Sequence, residues 1–246
     1  MDIIPVEDLD AAIEQYKTLG YRLDMIFPAD NPRDAVMSRG DDCLRLVRSP
    51  AFSRPVAEEM PPKGGTPSEW IVGRAGMEYR DLIPDRMGGK VIASHIRLTK
   101  GGEVPDYVHY HKIDLQMIYC LKGRIKVVYE DQGPPFWLEP GDCVLQPSEI
   151  RHRVLECVPN SEVVEITMPA EHETWVEHDI TLPTAELKPD RDFVGQRFFV
   201  TRLRRADPTF PNEMVCKEFV ERMKGVVTPD EILAAVIDVS RSLCRM

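Results

Sequence analysis

The 246-residue sequence is short of several things, and each shortage closes a class of function. It has no apolar run approaching the roughly 18 residues that a membrane span needs, so no membrane partner is expected. Basic residues are in deficit, 31 Lys and Arg against 41 Asp and Glu, for a formal charge of -10. A chain of that balance repels phosphate backbones and anionic lipid surfaces, which argues against nucleic acid as a partner. Its start, MDIIPVEDLD, is acidic where a secretory signal is basic and then apolar, so the expected location is cytoplasmic. The six cysteines include no CxxC pair and no dense framework, and three fall inside apolar strand-like runs; they are read as reduced and structural. There is no internal repeat or low-complexity tract, and no histidine before residue 95. The 21 prolines, by contrast, are numerous and speak for edges and turns rather than a helical bundle.

What is present divides the chain into four stretches. Residues 1–49 read as a strand, a helix from the Asp8–Asp10 region to a C-cap at Gly20, and three further strands, a βαβββ order. Leu9, Ile13, Tyr16 and Leu19 recur at helical spacing and give that helix one apolar face. Residues 50–68, with five Pro and two Gly among polar residues, read as a linker. Residues 69–180 carry short apolar runs at close spacing, bounded by Gly, Pro and Asp, which is the texture of an antiparallel sandwich or barrel. Beyond residue 181 the pattern loosens into an extension with two helices, Asn212–Met223 and, after the TPDE cap at Thr228, Glu231–Leu243. Basic residues between 204 and 224 are interleaved with acidic ones and read as a solvated helix face.

The chemistry concentrates in VHYHKIDLQMIYCLKG and GDCVLQPSEIRH. His109 and His111 are two apart, so on a strand both imidazoles point to one side. Gln116 opens the next run, and His152 follows a Pro-containing turn at the start of a later strand. If the strands close on themselves, three imidazoles and a side-chain carbonyl converge into a site for one divalent first-row metal per chain: Fe, Mn, Zn, Ni or Co. Gln116 is either a ligand or a hydrogen-bond partner of a substrate.

These residues resemble the two sequence motifs of the cupin superfamily. Gly102, His109, His111, Gln116 and Gly123 match the first, with Gln where Glu is usual; Gly141, Pro147, His152 and Glu156 fall on the second, with Glu149 where Gly is usual and Glu156 in place of Asn. The resemblance covers roughly residues 70–170 and implies a small antiparallel jelly-roll β-barrel with a mononuclear metal inside. Residues 8–47 similarly resemble, in pattern, one module of the glyoxalase or vicinal oxygen chelate superfamily, without that family's metal site. The fold expected is therefore mainly β: a cupin barrel with an N-terminal βαβββ module and a C-terminal helical extension.

Gln for Glu removes one negative charge from the metal's surroundings, which sharpens Lewis acidity. The expected activity is a metal-dependent enzyme acting on a small oxygenated substrate by isomerisation, elimination or cyclisation. An iron dioxygenase held by the three His, or a non-enzymatic small-molecule-binding cupin, are the alternatives. Three further residues are candidate catalytic groups. His95, on the run VIASHIRL, is a general base if its strand turns it inward. Tyr107 shares parity with His109 and His111, and Glu156 shares parity with His152 and is the nearest acid for proton transfer or a structural hydrogen bond. Arg151 and Arg153 face away by the same rule, and His172 and His178 are placed in a solvent-exposed loop. Open sheet edges predict a homodimer.

Overall fold

The computed structural model describes residues 1–49, 67–73, 76–226 and 228–245; the 50–68 linker reading falls almost wholly outside them. At the N-terminus β1 (Asp2–Val6) is followed by α1 (Leu9–Thr18), β2 (Arg22–Phe27), β3 (Asp34–Arg39) and β4 (Asp42–Arg48), the βαβββ order expected. Helix α1 starts where extended Asp8 turns its carboxylate onto the Ala11 N–H, 3.0 Å away. It ends where Gly20 takes a φ of +85°, a conformation glycine adopts without penalty. Its buried residues Leu9, Ala12 and Ile13 pack on Ala35, Met37, Leu44 and Leu46 of a sheet ordered β1-β4-β3-β2, with β1 parallel to β4.

Then come β5 (Ile71–Val72), β6 (Glu78–Asp81), the short helical turn α2 (Arg86–Gly89), β7 (Ile92–Leu98), β8 (Gly102–Glu103), β9 (His109–His111), β10 (Leu115–Lys122) and β11 (Ile125–Tyr129). They are followed by β12 (Phe136–Leu138), β13 (Cys143–Leu145), β14 (His152–Cys157), β15 (Ser161–Met168) and β16 (Thr174–Val176). The extension holds β17 (Asp192–Phe193), β18 (Gln196–Arg197), β19 (Phe199–Val200), α3 (Pro211–Met223) and α4 (Pro229–Leu243). Thr228 and Glu231 form the expected reciprocal cap of α4.

The barrel strands make two walls. One is ordered β16-β9-β14-β11-β12 with β8 on β14; the other is β19-β13-β10-β15-β7-β6-β5. Alternation gives the second wall two apolar faces. Ile96, Leu98, Val144 and Val163 look into the barrel with Ile125 and Val127 of the first wall. Val91, Ala93, Met117, Leu145, Val164 and Ile166 look outward and are covered by Val215, Phe219, Val236 and Val239 of α3 and α4. The helices are thus the outer half of a core: Phe219 is fully buried there, and truncating such a ring costs about 3–5 kcal/mol.

Two joins are invisible in the sequence. Strand β2 pairs antiparallel with β16, Ile26 opposite Thr174 and Met25 opposite Trp175, so the N-terminal sheet runs on into a barrel wall. Strand β19, within the extension, pairs with β13 and adds a strand to the second wall. Among the described residues no helix is long and apolar enough to cross a membrane.

Candidate metal centre

Strand β9 is His-Tyr-His. Tyr110 faces out, stacked on Trp175 with ring centroids 6.5 Å apart, and the Arg151 guanidinium lies 4.2 Å from its ring centroid. His109 and His111 therefore face in. Strand β14 opens with His152 directly opposite His109, and β16 sets Thr174 opposite His111. The three imidazoles are buried, with ring centroids 4.2, 5.2 and 5.3 Å apart, and one nitrogen from each falls within 4.8 Å of the others.

The outer ring nitrogens decide what the inner ones can do. His109 Nδ1 lies 2.8 Å from the Tyr107 carbonyl oxygen and His152 Nδ1 lies 2.9 Å from that of Ile150. Carbonyls only accept, so both Nδ1 atoms carry the proton and each Nε2 presents a lone pair. Thr174 Oγ1, 2.9 Å from His111 Nδ1, is able to accept from the third ring in the same tautomer. Neutral imidazoles whose far N–H is held by an acceptor are the donor arrangement that metal-ligating histidines use, so a divalent cation fits this cluster.

Two buried amides complete it. Gln116 projects from β10 in the opposite wall, and its Oε1 accepts from Gln146 Nε2 at 2.7 Å. Gln146 Nε2 also lies 3.0 Å from His152 Nε2, and the Gln146 backbone N–H donates to the Gln116 carbonyl at 2.9 Å. The main chain thus fixes the two amides side by side.

The candidate catalytic groups from the sequence sit elsewhere. Ser94 and Ile96 of β7 line the interior, so His95 points out of the barrel. There its Nδ1 accepts from Arg80, with Nε at 3.2 Å and Nη2 at 3.0 Å, its Nε2 meets Glu162 at 2.9 Å, and its ring lies 5.0 Å from that of Trp70. Burial holds its pKa below the usual histidine value against the opposing pull of Glu162. Glu156 also turns outward, to Lys126 at 3.6 Å. The reason is a bulge: Lys126 pairs with Glu156 but Val127 with Val154, so Leu155 is the extra residue and parity inverts beyond it. Tyr107 offers His109 its backbone carbonyl; its ring, 5.7 Å from that of His109, does not line the cavity.

The cavity is instead completed by residues that the sequence did not single out. It leaves about 90 Å³ open to the centre of a water-sized sphere, several times what one water requires. Its far end is apolar, with Leu98, Ile118, Ile125, Val127, Leu138 and Val163. Glu165 of β15, opposite both Ser94 and Ile118, faces into it. A carboxylate in the apolar run EVVEIT was the available signal. His172 is buried against His111, ring centroids 5.2 Å apart, not in an exposed loop; burial holds its pKa below the usual value. Only the β16–β9 pairing brings it there. Ala29 and Asp30 of the β2–β3 turn also line the cavity, and Arg86 ties Asp30 to Asp81. Arg151 stays outside, bonded to Glu177 at 3.0 Å, whereas Arg153, expected to face away, borders the cavity.

Residues 94–166 match the family model described as the cupin domain, so this part of the chain is a cupin domain. No curated protein matches the sequence. Among solved structures the chain is similar to KdgF from Halomonas sp., at 18% identity over 42% of this chain and 88% of that one, with a TM-score of 0.34. It is also similar to oxalate decarboxylase from Bacillus subtilis, at 17% identity over 42% of this chain, with a TM-score of 0.34. The match spans 27% of the oxalate decarboxylase chain.

Proposed function

We propose that the protein is a metal-dependent enzyme that isomerises, eliminates or cyclises a small oxygenated substrate with an apolar body. The observation that carries this reading is a single cavity with three convergent imidazoles, an inward carboxylate, Glu165, and an apolar far end. His109, His111 and His152, with Gln116 as a further donor, would hold one divalent transition metal, which when bound supplies Lewis acidity to a substrate carbonyl or hydroxyl. Leu98, Ile118, Ile125 and Val127 receive the apolar portion and keep water away from the reacting end. Glu165 accepts a proton from the carbon next to the polarised group and returns it to a neighbouring position, or passes it to a leaving group. Tyr129, fully buried and with its pKa raised by that burial, remains a neutral phenol able to donate a hydrogen bond to developing negative charge.

Metal analysis of the purified protein and of His111→Ala tests the reading. About one divalent ion per chain, lost in the variant, is expected; absence of a stoichiometric ion from the parent protein sinks it. Oxygen uptake by Fe(II)-loaded protein with diketones, phenols or thiols would replace it with dioxygenase chemistry, and tight binding without turnover would make the barrel a small-molecule receptor.

We further propose a homodimer, supported by the edge of β1, which has a strand partner on one side only among the described residues and where Ile3 is 69% exposed. A monomer by light scattering at micromolar concentration overturns it. The six cysteines are free thiols, four of them buried, in keeping with the reducing cytoplasm.

A further inference from the structure

We propose that Gln146 is a metal ligand through its side-chain oxygen, in addition to the three imidazoles. The inference rests on the metal reading above.

Gln146 is 1% exposed, and its Oε1 is buried without a hydrogen-bond partner among the described residues. Its Nε2, meanwhile, stands 3.0 Å from His152 Nε2 and 2.7 Å from Gln116 Oε1. Two donors bound at right angles to one cation, each about 2.1 Å from it, lie about 3 Å apart. The outer end of the Gln146 amide is thus already at ligand-to-ligand spacing from two other donors.

The direction of the amide follows from what the cation takes. Without metal, the NH2 group has two acceptors, the His152 lone pair and Gln116 Oε1. A cation claims the His152 lone pair and would then face the positive ends of N–H bonds. A half-turn about the last side-chain bond exchanges nitrogen and oxygen in nearly the same space. It brings Oε1 to the cation. If Gln116 turns with it, the Gln116 Nε2 donates to Gln146 Oε1 and the bond between the two amides is kept in the opposite sense. The position is set by the backbone, through the Gln146 N–H on the Gln116 carbonyl, so no main-chain movement is needed.

The alternative is that Gln146 only positions Gln116 by donating to it. Substitution by Glu separates the two roles, because a carboxylate keeps an oxygen ligand and has no N–H to donate. Cobalt(II) is titrated into the metal-stripped full-length protein and followed by visible absorption, with circular dichroism to verify that each variant is folded. Gln146→Leu should weaken cobalt binding about tenfold to 100-fold, whereas Gln146→Glu should bind at least as tightly as the parent. If Gln146→Glu is weakened as much as Gln146→Leu, or if neither changes, Gln146 is not a ligand. His111→Ala is the separate control: cobalt binding at parental strength in that variant would overturn the metal reading itself, whatever the Gln146 variants do.

Discussion

His95 and the trio of His109, His111 and His152 lie on opposite faces of the same barrel, and both environments are buried. They differ in where the ring nitrogens end. Outside, Arg80 occupies Nδ1 of His95 and Glu162 meets its Nε2, so the ring is satisfied by protein side chains on both edges. Inside, Tyr107, Ile150 and Thr174 take the Nδ1 side of each ring and the Nε2 atoms converge. Burial and residue type are the same in both places; strand parity and the partner of the far nitrogen decide which set is a ligand set.

The largest effect should come from breaking the inner set. His152→Ala should weaken divalent-metal binding by more than about 100-fold, exceeding what loss of an outer hydrogen bond costs, while His95→Ala leaves metal stoichiometry unchanged. Metal titration of the two variants side by side checks both halves. Metal loss in His95→Ala with the fold intact would erase the distinction between the two faces.

A smaller effect is expected from Thr174→Val. The change keeps the shape and removes the oxygen 2.9 Å from His111 Nδ1, so the ring loses the hydrogen-bond partner that orients it. Metal affinity should fall about tenfold to 100-fold, and Thr174→Ser should restore most of it. An unchanged affinity in Thr174→Val would show that β9 alone orients His111.

The His spacing made the inner set legible in the sequence, because a two-residue interval survives any uncertainty about where a strand begins. Helices α1, α3 and α4 were legible for a similar reason: caps such as Thr228 with Glu231 are local chemistry. The remainder depended on register. Glu156 keeps the parity of His152 on paper and loses it at a one-residue bulge beside Lys126. Gln146 and His172 reach the site through the pairings of β10 with β13 and of β9 with β16, and no local pattern encodes either. Strands β5 and β16, of two and three residues, are too short to show any period.

The outer face should respond to pH. The His95 pKa is lowered in the folded protein, principally by burial, with Arg80 and Arg97 lowering it further and Glu162 raising it. The unfolded chain therefore binds this proton at higher pH than the folded one, and stability declines as pH falls below about 6.5 toward the folded value. His95→Gln, which retains an acceptor for Arg80 and a donor for Glu162, should flatten the fall in melting temperature between about pH 6.5 and 5. A slope as steep as the parent's would locate that acid sensitivity in other groups.

The smallest effect tests whether the inner site is held by backbone or by side chains at the turn before His152. Glu149 has a φ of +62°, in the left-handed region that glycine adopts without penalty. Its N–H donates to the His111 carbonyl at 2.9 Å, which ties the turn before β14 to β9 through main-chain atoms, and its carbonyl accepts from the Arg151 side chain, Nη1, at 2.9 Å. Glu149→Gly keeps both bonds. It relieves a left-handed conformation that costs a non-glycine residue about 1–2 kcal/mol, and it gives back about 0.4–1 kcal/mol through the freer unfolded chain. A net gain of about 0–1.6 kcal/mol is expected in urea denaturation, with metal affinity unchanged. A loss of more than about 1 kcal/mol, or weaker metal binding, would mean that the Glu149 side chain itself holds the turn, and that His152 is positioned by more than the backbone.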